Sequence, residues 1–122
     1  MKTIQISRSV LQSLYGDCTE SMAEVFSQFL NCHSEIRENL VSSYNSGNVE
    51  LFKKILHYHG PSFMYLGMPV VSACFRNLEE QCKQGSDRSS ISGEFNVLLQ
   101  FVDQSRQMIA NELVCLCFKK AV

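Results

Sequence analysis

The sequence predicts an all-α protein, an antiparallel up-down four-helix bundle with a short extra N-terminal helix, built as one domain over residues 1–122. Three observations predict it. Apolar residues recur at spacings of three and four in four long stretches, the period of a helix with one buried face. Alternating, strand-like runs are weak throughout. Short clusters of Gly, Pro, Asn and Ser separate the stretches, and amphipathic helices joined by short connections pack most simply side by side in antiparallel order. A chain of 122 residues suits one domain with one core.

The elements follow in order. Ser9 to Tyr15 forms the short helix and Gly16 ends it. Asp17 is the expected cap of the next helix, with Thr19 competing, because either side chain offers an oxygen to the unpaired N–H groups of the first turn. That helix buries Met22, Val25, Phe26, Phe29, Leu30, Ile36, Leu40 and Val41, and stops in Asn45-Ser46-Gly47-Asn48. Asn48 caps the third helix, whose inward stripe is Phe52, Ile55, His59, Phe63 and Leu66, with Gly67 at its end. Pro69 falls in the first turn of the next helix, where a missing N–H costs little. Val70, Val71, Cys74, Leu78 and Cys82 are its buried positions and Gly85 its stop. Residues 84–90 form a polar connection, expected to be the most mobile part of the molecule. Ser92 and Glu94 open the last helix, whose stripe is Phe95, Leu98, Leu99, Val102, Ile109, Leu113 and Leu116, with a polar gap around Ser105 and Arg106.

Composition excludes several classes of function. The formal net charge is -1 and no basic stripe or polybasic block occurs, so no nucleic-acid partner is implied. No apolar run approaches the ~20 residues that cross a bilayer, so no membrane span is expected. The first residues, Met1-Lys2-Thr3-Ile4-Gln5-Ile6, lack the apolar core and cleavage site of an export signal, which makes the cytoplasm the expected location. The six cysteines lie mostly within apolar helical patterns, where a free thiol acts as a small hydrophobe, and are read as reduced and structural. Cys115-Leu116-Cys117 lacks the spacer and the second half of a zinc site. Paired Glu-x-x-His motifs of a di-iron bundle do not occur, so no metal is expected on His33, His57, His59 or the cysteines. No Walker-type glycine loop is present, so no nucleotide binding or autophosphorylation is expected.

The stretch His57-Tyr58-His59-Gly60-Pro61-Ser62-Phe63-Met64-Tyr65-Leu66-Gly67 stands out. Gly and Pro are the two worst residues for a helix interior, yet they follow His57 by one turn. Pro61 removes the N–H that would bond the His57 carbonyl and crowds that carbonyl, so a kink or a break is expected there. On the helix face of His57 lie Glu50, Lys53, Lys54, Gly60, Pro61 and Met64, opposite the core stripe. An outward imidazole beside small residues and two lysines suits a phosphoryl carrier. Imidazole titrates ordinarily near ~6.5, so much of it is a neutral nucleophile at pH 7. Small neighbours admit a partner's active site, and Lys53 and Lys54 offset the spread negative charge of the transferring group.

These residues resemble the histidine-containing phosphotransfer (HPt) domain family of two-component phosphorelays. His57 matches the phosphoacceptor place of the family motif, Ser62 its small residue, Leu66 its apolar residue and Gly67 its closing glycine; Asn77-Leu78-Glu79 in the following helix is similar too. The family's lysine place holds Gly60 and its usual glycine place holds Pro61, a Pro-Ser-Phe form similar to a subgroup of the family. The resemblance implies a phosphorelay intermediate that carries a phosphoryl group on His57 between receiver (Asp) domains. Its partners would be response-regulator receiver domains and a hybrid sensor kinase. It implies no cofactor of its own, magnesium residing on the receiver, and a monomer. The absent lysine keeps a second reading open, an unphosphorylated adaptor that docks a receiver and tethers or inhibits it.

Overall fold

The computed structural model describes residues 4–121, with side chains through Phe118. Met1, Lys2 and Thr3, part of the stretch read as lacking an export signal, lie outside the described residues, as does Val122 at the far limit of the 1–122 domain. The described residues form α1 (Arg8–Tyr15), α2 (Thr19–Asn45), α3 (Val49–His59), α4 (Ser62–Tyr65), α5 (Pro69–Lys83) and α6 (Ser92–Ala121), with no strand among them. Helices α2, α3, α5 and α6 make the bundle: α2 packs on α3 and α6, and α5 packs on α3 and α6. The short α1 lies against α2 and α4, over one end. No helix of the described residues is long and apolar enough to cross a membrane.

Local chemistry explains most boundaries. The Asn48 side chain accepts the Leu51 N–H at 3.1 Å and starts α3, as expected of an N-cap. The Ser7 hydroxyl does the same for Val10 at 3.3 Å in α1. The start of α2 differs from expectation. Cys18 is its N-cap and neither the Asp17 nor the Thr19 side chain caps it. Backbone turns take over that work: Gly16 sits at φ 55, Cys18 N–H donates to the Tyr15 carbonyl at 2.9 Å and Thr19 N–H to the Asp17 carbonyl at 3.0 Å.

Pro61 breaks the third helix into two. The last α-helical bond there runs from Gly60 N–H to the Leu56 carbonyl, 3.0 Å. Tighter bonds follow, Phe63 N–H to the Gly60 carbonyl at 3.2 Å and Met64 N–H to the Pro61 carbonyl at 3.0 Å, the pattern of a 3₁₀ turn. The chain still runs on into the core, so Phe63 and Leu66 of α4 and its cap remain fully buried.

Phe26, Phe63 and Phe75 are the largest fully buried side chains; Phe29 meets Phe63 edge to face at 5.5 Å between ring centres, and Phe63 stacks on Phe75 at 5.1 Å. Burying each such ring contributes about 1.5–3 kcal/mol. The stripes shift by a residue in two places. In α3 it is Leu56, not Ile55, that is fully buried, because α3 is wedged between α2 and α5 and both flanks of its stripe meet a neighbour. In α5 Val70 is exposed and Phe75 is buried, because Met68 and Val71 already fill the inward positions at its start. The expected polar gap in α6 is no gap: Ser105 is completely buried and its hydroxyl donates to the Phe101 carbonyl at 2.6 Å, which satisfies it.

The polar connection before α6 is tied down. Arg88 donates to the Asn45 carbonyl at 3.1 Å and lies over the Tyr44 ring, while the Tyr44 hydroxyl donates to the Arg88 carbonyl at 2.8 Å. All six cysteines are free thiols; Cys82 is buried, Cys32 and Cys74 are half-buried, and Cys18, Cys115 and Cys117 are exposed, so only half of them serve as packing.

Candidate functional site

His57 occupies the last turn of α3, just before the Pro61 break, and its side chain is 78% exposed. Its Nδ1 lies 3.1 Å and 3.3 Å from the two carboxylate oxygens of Glu79 on α5. Glu79 is only 14% exposed, and its Oε2 also lies 3.5 Å from the Nζ of Lys83. An ionised carboxylate can only accept, so the hydrogen bond places the imidazole proton on Nδ1. The lone pair then belongs to Nε2. A charge-assisted bond of this kind also fixes the ring plane.

A shallow groove of about 390 Å³ is lined by Lys53, Lys54, His57, Tyr58 and Glu79. The structure therefore brings three of the sequence-predicted residues together, His57, Lys53 and Lys54. Lys53 Nζ lies 3.0 Å from Glu50 Oε1 and is partly screened by it, whereas Lys54 is exposed. Pro61 and Met64 are exposed but line a neighbouring groove with Val10, Leu14 and Tyr65 of α1 and α4.

Gly60 is a correction. The sequence places it on the outward face, opening space beside His57. The structure buries it against α5, where a Cβ would lie 3.0 Å from the Phe75 Cβ and 3.1 Å from the Leu56 carbonyl oxygen. Gly60 keeps helical dihedrals and its N–H bonds the Leu56 carbonyl, so it lies one turn beyond buried Leu56 on the side that faces α5, and glycine serves helix–helix approach and not partner access.

Glu79 is the residue that sequence reasoning passed over. The only signal was its membership of the Asn77-Leu78-Glu79 segment; nothing in helix periodicity pairs it with a histidine twenty-two positions away. The other histidines are placed elsewhere. His59 is buried on the α2 side, its Nε2 3.5 Å from Asn39 Nδ2, and burial pushes its pKa down while Glu35 partly opposes that. His33 is buried between α2 and α6 with Nε2 3.2 Å from Asp103 Oδ1. Among the described residues no three His, Cys, Asp or Glu side chains converge as a metal site would require.

No family model matches the chain, and no curated protein sequence matches it. Solved structures do. The HPt domain of an Hpt sensor hybrid histidine kinase from Shewanella matches with a TM-score of 0.79 at 13% identity, over 89% of this chain and 93% of that one. Histidine-containing phosphotransfer protein B of Pseudomonas aeruginosa matches with a TM-score of 0.58 at 17% identity, over 84% of this chain and 95% of that one. At such identities it is the fold that is shared.

Proposed function

We propose that this chain, which has the fold of histidine-containing phosphotransfer domains, is a phosphorelay intermediate that carries a phosphoryl group on Nε2 of His57. The observation that carries the reading is the pair His57–Glu79: an exposed imidazole whose Nδ1 is held by a carboxylate, leaving Nε2 as the nucleophile. In the accepting step the Nε2 lone pair attacks phosphorus in line with the departing oxygen of a receiver's aspartyl phosphate. The N–P bond forms, the P–O bond breaks, and its electron pair returns to the receiver's carboxylate. The ring proton stays on Nδ1, where Glu79 offsets the positive charge of the phosphorylated imidazolium. Delivery to the next receiver reverses these bonds. Lys53 and Lys54 supply positive charge on the groove wall, in place of the motif lysine that Gly60 displaces.

The partners are response-regulator receiver domains and a hybrid sensor kinase, and magnesium resides on the receiver. The protein works as a monomer in the cytoplasm and has no kinase activity of its own. Incubation with a phosphorylated receiver domain tests this. Label should appear on the protein, be acid-labile and alkali-stable, vanish in His57→Gln and survive in His59→Gln. Label retained in His57→Gln overturns the assignment. The adaptor reading is favoured by one observation, the buried Gly60 in the lysine place. A receiver that binds tightly without transferring label would select it.

A further inference from the structure

The carboxylate oxygen of Glu79 that lies nearest His57 has a second cation beside it. Oε2 is 3.1 Å from Nδ1 of His57 and 3.5 Å from Nζ of Lys83. Glu79 and Lys83 stand four residues apart on α5 with the acid nearer the N-terminus, the order in which such pairs attract best on a helix. Lys83 also falls in the last turn of α5, where a cation suits the helix dipole. As an ion pair it adds little to stability, because the Lys83 side chain is 54% exposed. Its effect on the carboxylate it touches is a separate matter.

The other titratable neighbours are placed differently. Lys53, Lys54 and Tyr58 of α3 line the His57 groove, and Glu50 pairs with Lys53. On α5, Arg76 is exposed one turn before Glu79. Cys82 is buried within the influence of Lys53 and Glu79, and burial pushes its thiol pKa up, so it stays neutral at pH 7. Lys83 shares a single carboxylate oxygen with His57.

The proton on Nδ1 governs how easily a phosphoryl group leaves Nε2. With that proton in place, breaking the N–P bond returns the electron pair to Nε2 and releases a neutral imidazole. Without it the leaving group is an imidazolate anion, which is far poorer, and phosphohistidine therefore survives alkali. In hydrolysis a water oxygen bonds to phosphorus as the N–P bond breaks; the phosphate keeps both protons of the water and Nδ1 keeps its own. Glu79 favours the protonated ring, and a cation on the same oxygen opposes it.

We infer that Lys83 lengthens the life of the phosphohistidine, by sharing Glu79 Oε2 with His57 and so weakening the carboxylate's hold on the Nδ1 proton. Lys83 acts through Glu79 and is a positioning residue. The inference rests on His57 as the residue that bears the phosphoryl group, not on transfer to a receiver. A unit charge one carboxylate away in a watery surround changes such an equilibrium about threefold, or about half a pH unit.

The test charges the full chain with phosphoramidate, a small donor that phosphorylates imidazole without a docked partner. Loss of the phosphoryl group is then followed by phosphorus NMR as a function of pH, with His57→Gln supplying the signal from other residues. Lys83→Met should raise the pH at which the rate falls to half its acid value by about half a unit. Above that pH it should hasten loss about threefold, and in acid it should leave the rate unchanged. Lys83→Arg should keep the parent profile. In a Glu79→Gln background the shift caused by Lys83→Met should shrink to less than half. A midpoint that stays put or falls in Lys83→Met overturns the inference; a fall assigns Lys83 only to holding the Glu79 side chain in place. A rate changed equally at every pH overturns it and assigns Lys83 to the phosphoryl oxygens. An undiminished shift in the Glu79→Gln background overturns the route through Glu79. A parent chain that takes no label on His57 overturns it together with the carrier reading. The predicted shifts in a protein that exchanges no label with a receiver uphold the role of Lys83 and reject the relay.

Discussion

Replacing Gly60 is the sharpest probe of how this fold departs from the motif it resembles. Gly60 has φ -54 and ψ -50, an ordinary helical conformation, so alanine is allowed by the backbone and should gain about 0.4–1 kcal/mol from a less flexible unfolded chain. The added Cβ, however, meets the Phe75 Cβ at 3.0 Å and the Leu56 carbonyl at 3.1 Å. Neither is the loose end of a flexible side chain: Phe75 is completely buried and stacked on Phe63. Forcing a methyl group into such packing costs about 1–3 kcal/mol. The clash should win, by about 1–2 kcal/mol net. For a domain of this size that lowers the melting temperature by about 3–10 °C. Gly60→Lys should lose more and should not restore fast phosphotransfer, because the side chain emerges between α3 and α5 and not beside His57. Thermal unfolding by circular dichroism and a receiver-driven transfer assay measure both effects. A Gly60→Ala protein melting at or above the parent temperature refutes the packing argument. So does a Gly60→Lys protein that folds normally and transfers faster.

Other expected outcomes are simpler. Gly67→Ala combines a left-handed backbone, φ +73, with a Cβ 2.7 Å from Leu11 Cγ, and should cost about 2–4 kcal/mol in denaturant unfolding by releasing α1. Glu79→Ala removes a charge-assisted bond worth about 1.5–3 kcal/mol and should slow transfer about tenfold or more, while Glu79→Gln, which keeps an acceptor for Nδ1–H but no charge to offset the imidazolium, should fall between Glu79→Ala and the parent. Changing both Lys53 and Lys54 to alanine should slow transfer most at low salt and leave the melting temperature nearly unchanged; equal rates at low salt would show that the lysines are only a solvated face. Burial lowers the His59 pKa from 6.5, so on acidification the unfolded chain takes up its proton first and stability falls as pH drops through that value; His59→Gln should lack this part of the slope in pH-dependent unfolding.

The bundle was legible because its signals are local and repeated. Asn48, Gly67, Pro69 and Gly85 mark helix ends by their own backbone and side-chain chemistry, and the structure places element boundaries beside them. The break at Pro61 followed from a missing N–H. What the sequence could not supply was the third dimension of packing. Periodicity ranks residues around one helix but does not know that α3 is clasped on two sides, so Ile55 was taken for core and Leu56 was not. Helical spacing put Gly60 beside His57, although the same spacing also sets it one turn beyond buried Leu56, on the side that packs against Phe75. Asp17 looked like a cap because its side chain could reach, but backbone turns after Gly16 left it nothing to do. The site showed the same division. His57, Lys53 and Lys54 share one helix face and were readable; Glu79 joins them only through the α3–α5 contact.

The proposed phosphoryl transfer to Nε2 of His57 can be measured directly. The protein, labelled with nitrogen-15 in histidine and charged by a phosphorylated receiver, would be examined by nitrogen–phosphorus coupling in NMR. A single coupling to Nε2 of His57, with Nδ1 still protonated, is the expected result. Coupling to Nδ1, coupling at His33 or His59, or a phosphoryl group on no histidine at all would contradict it.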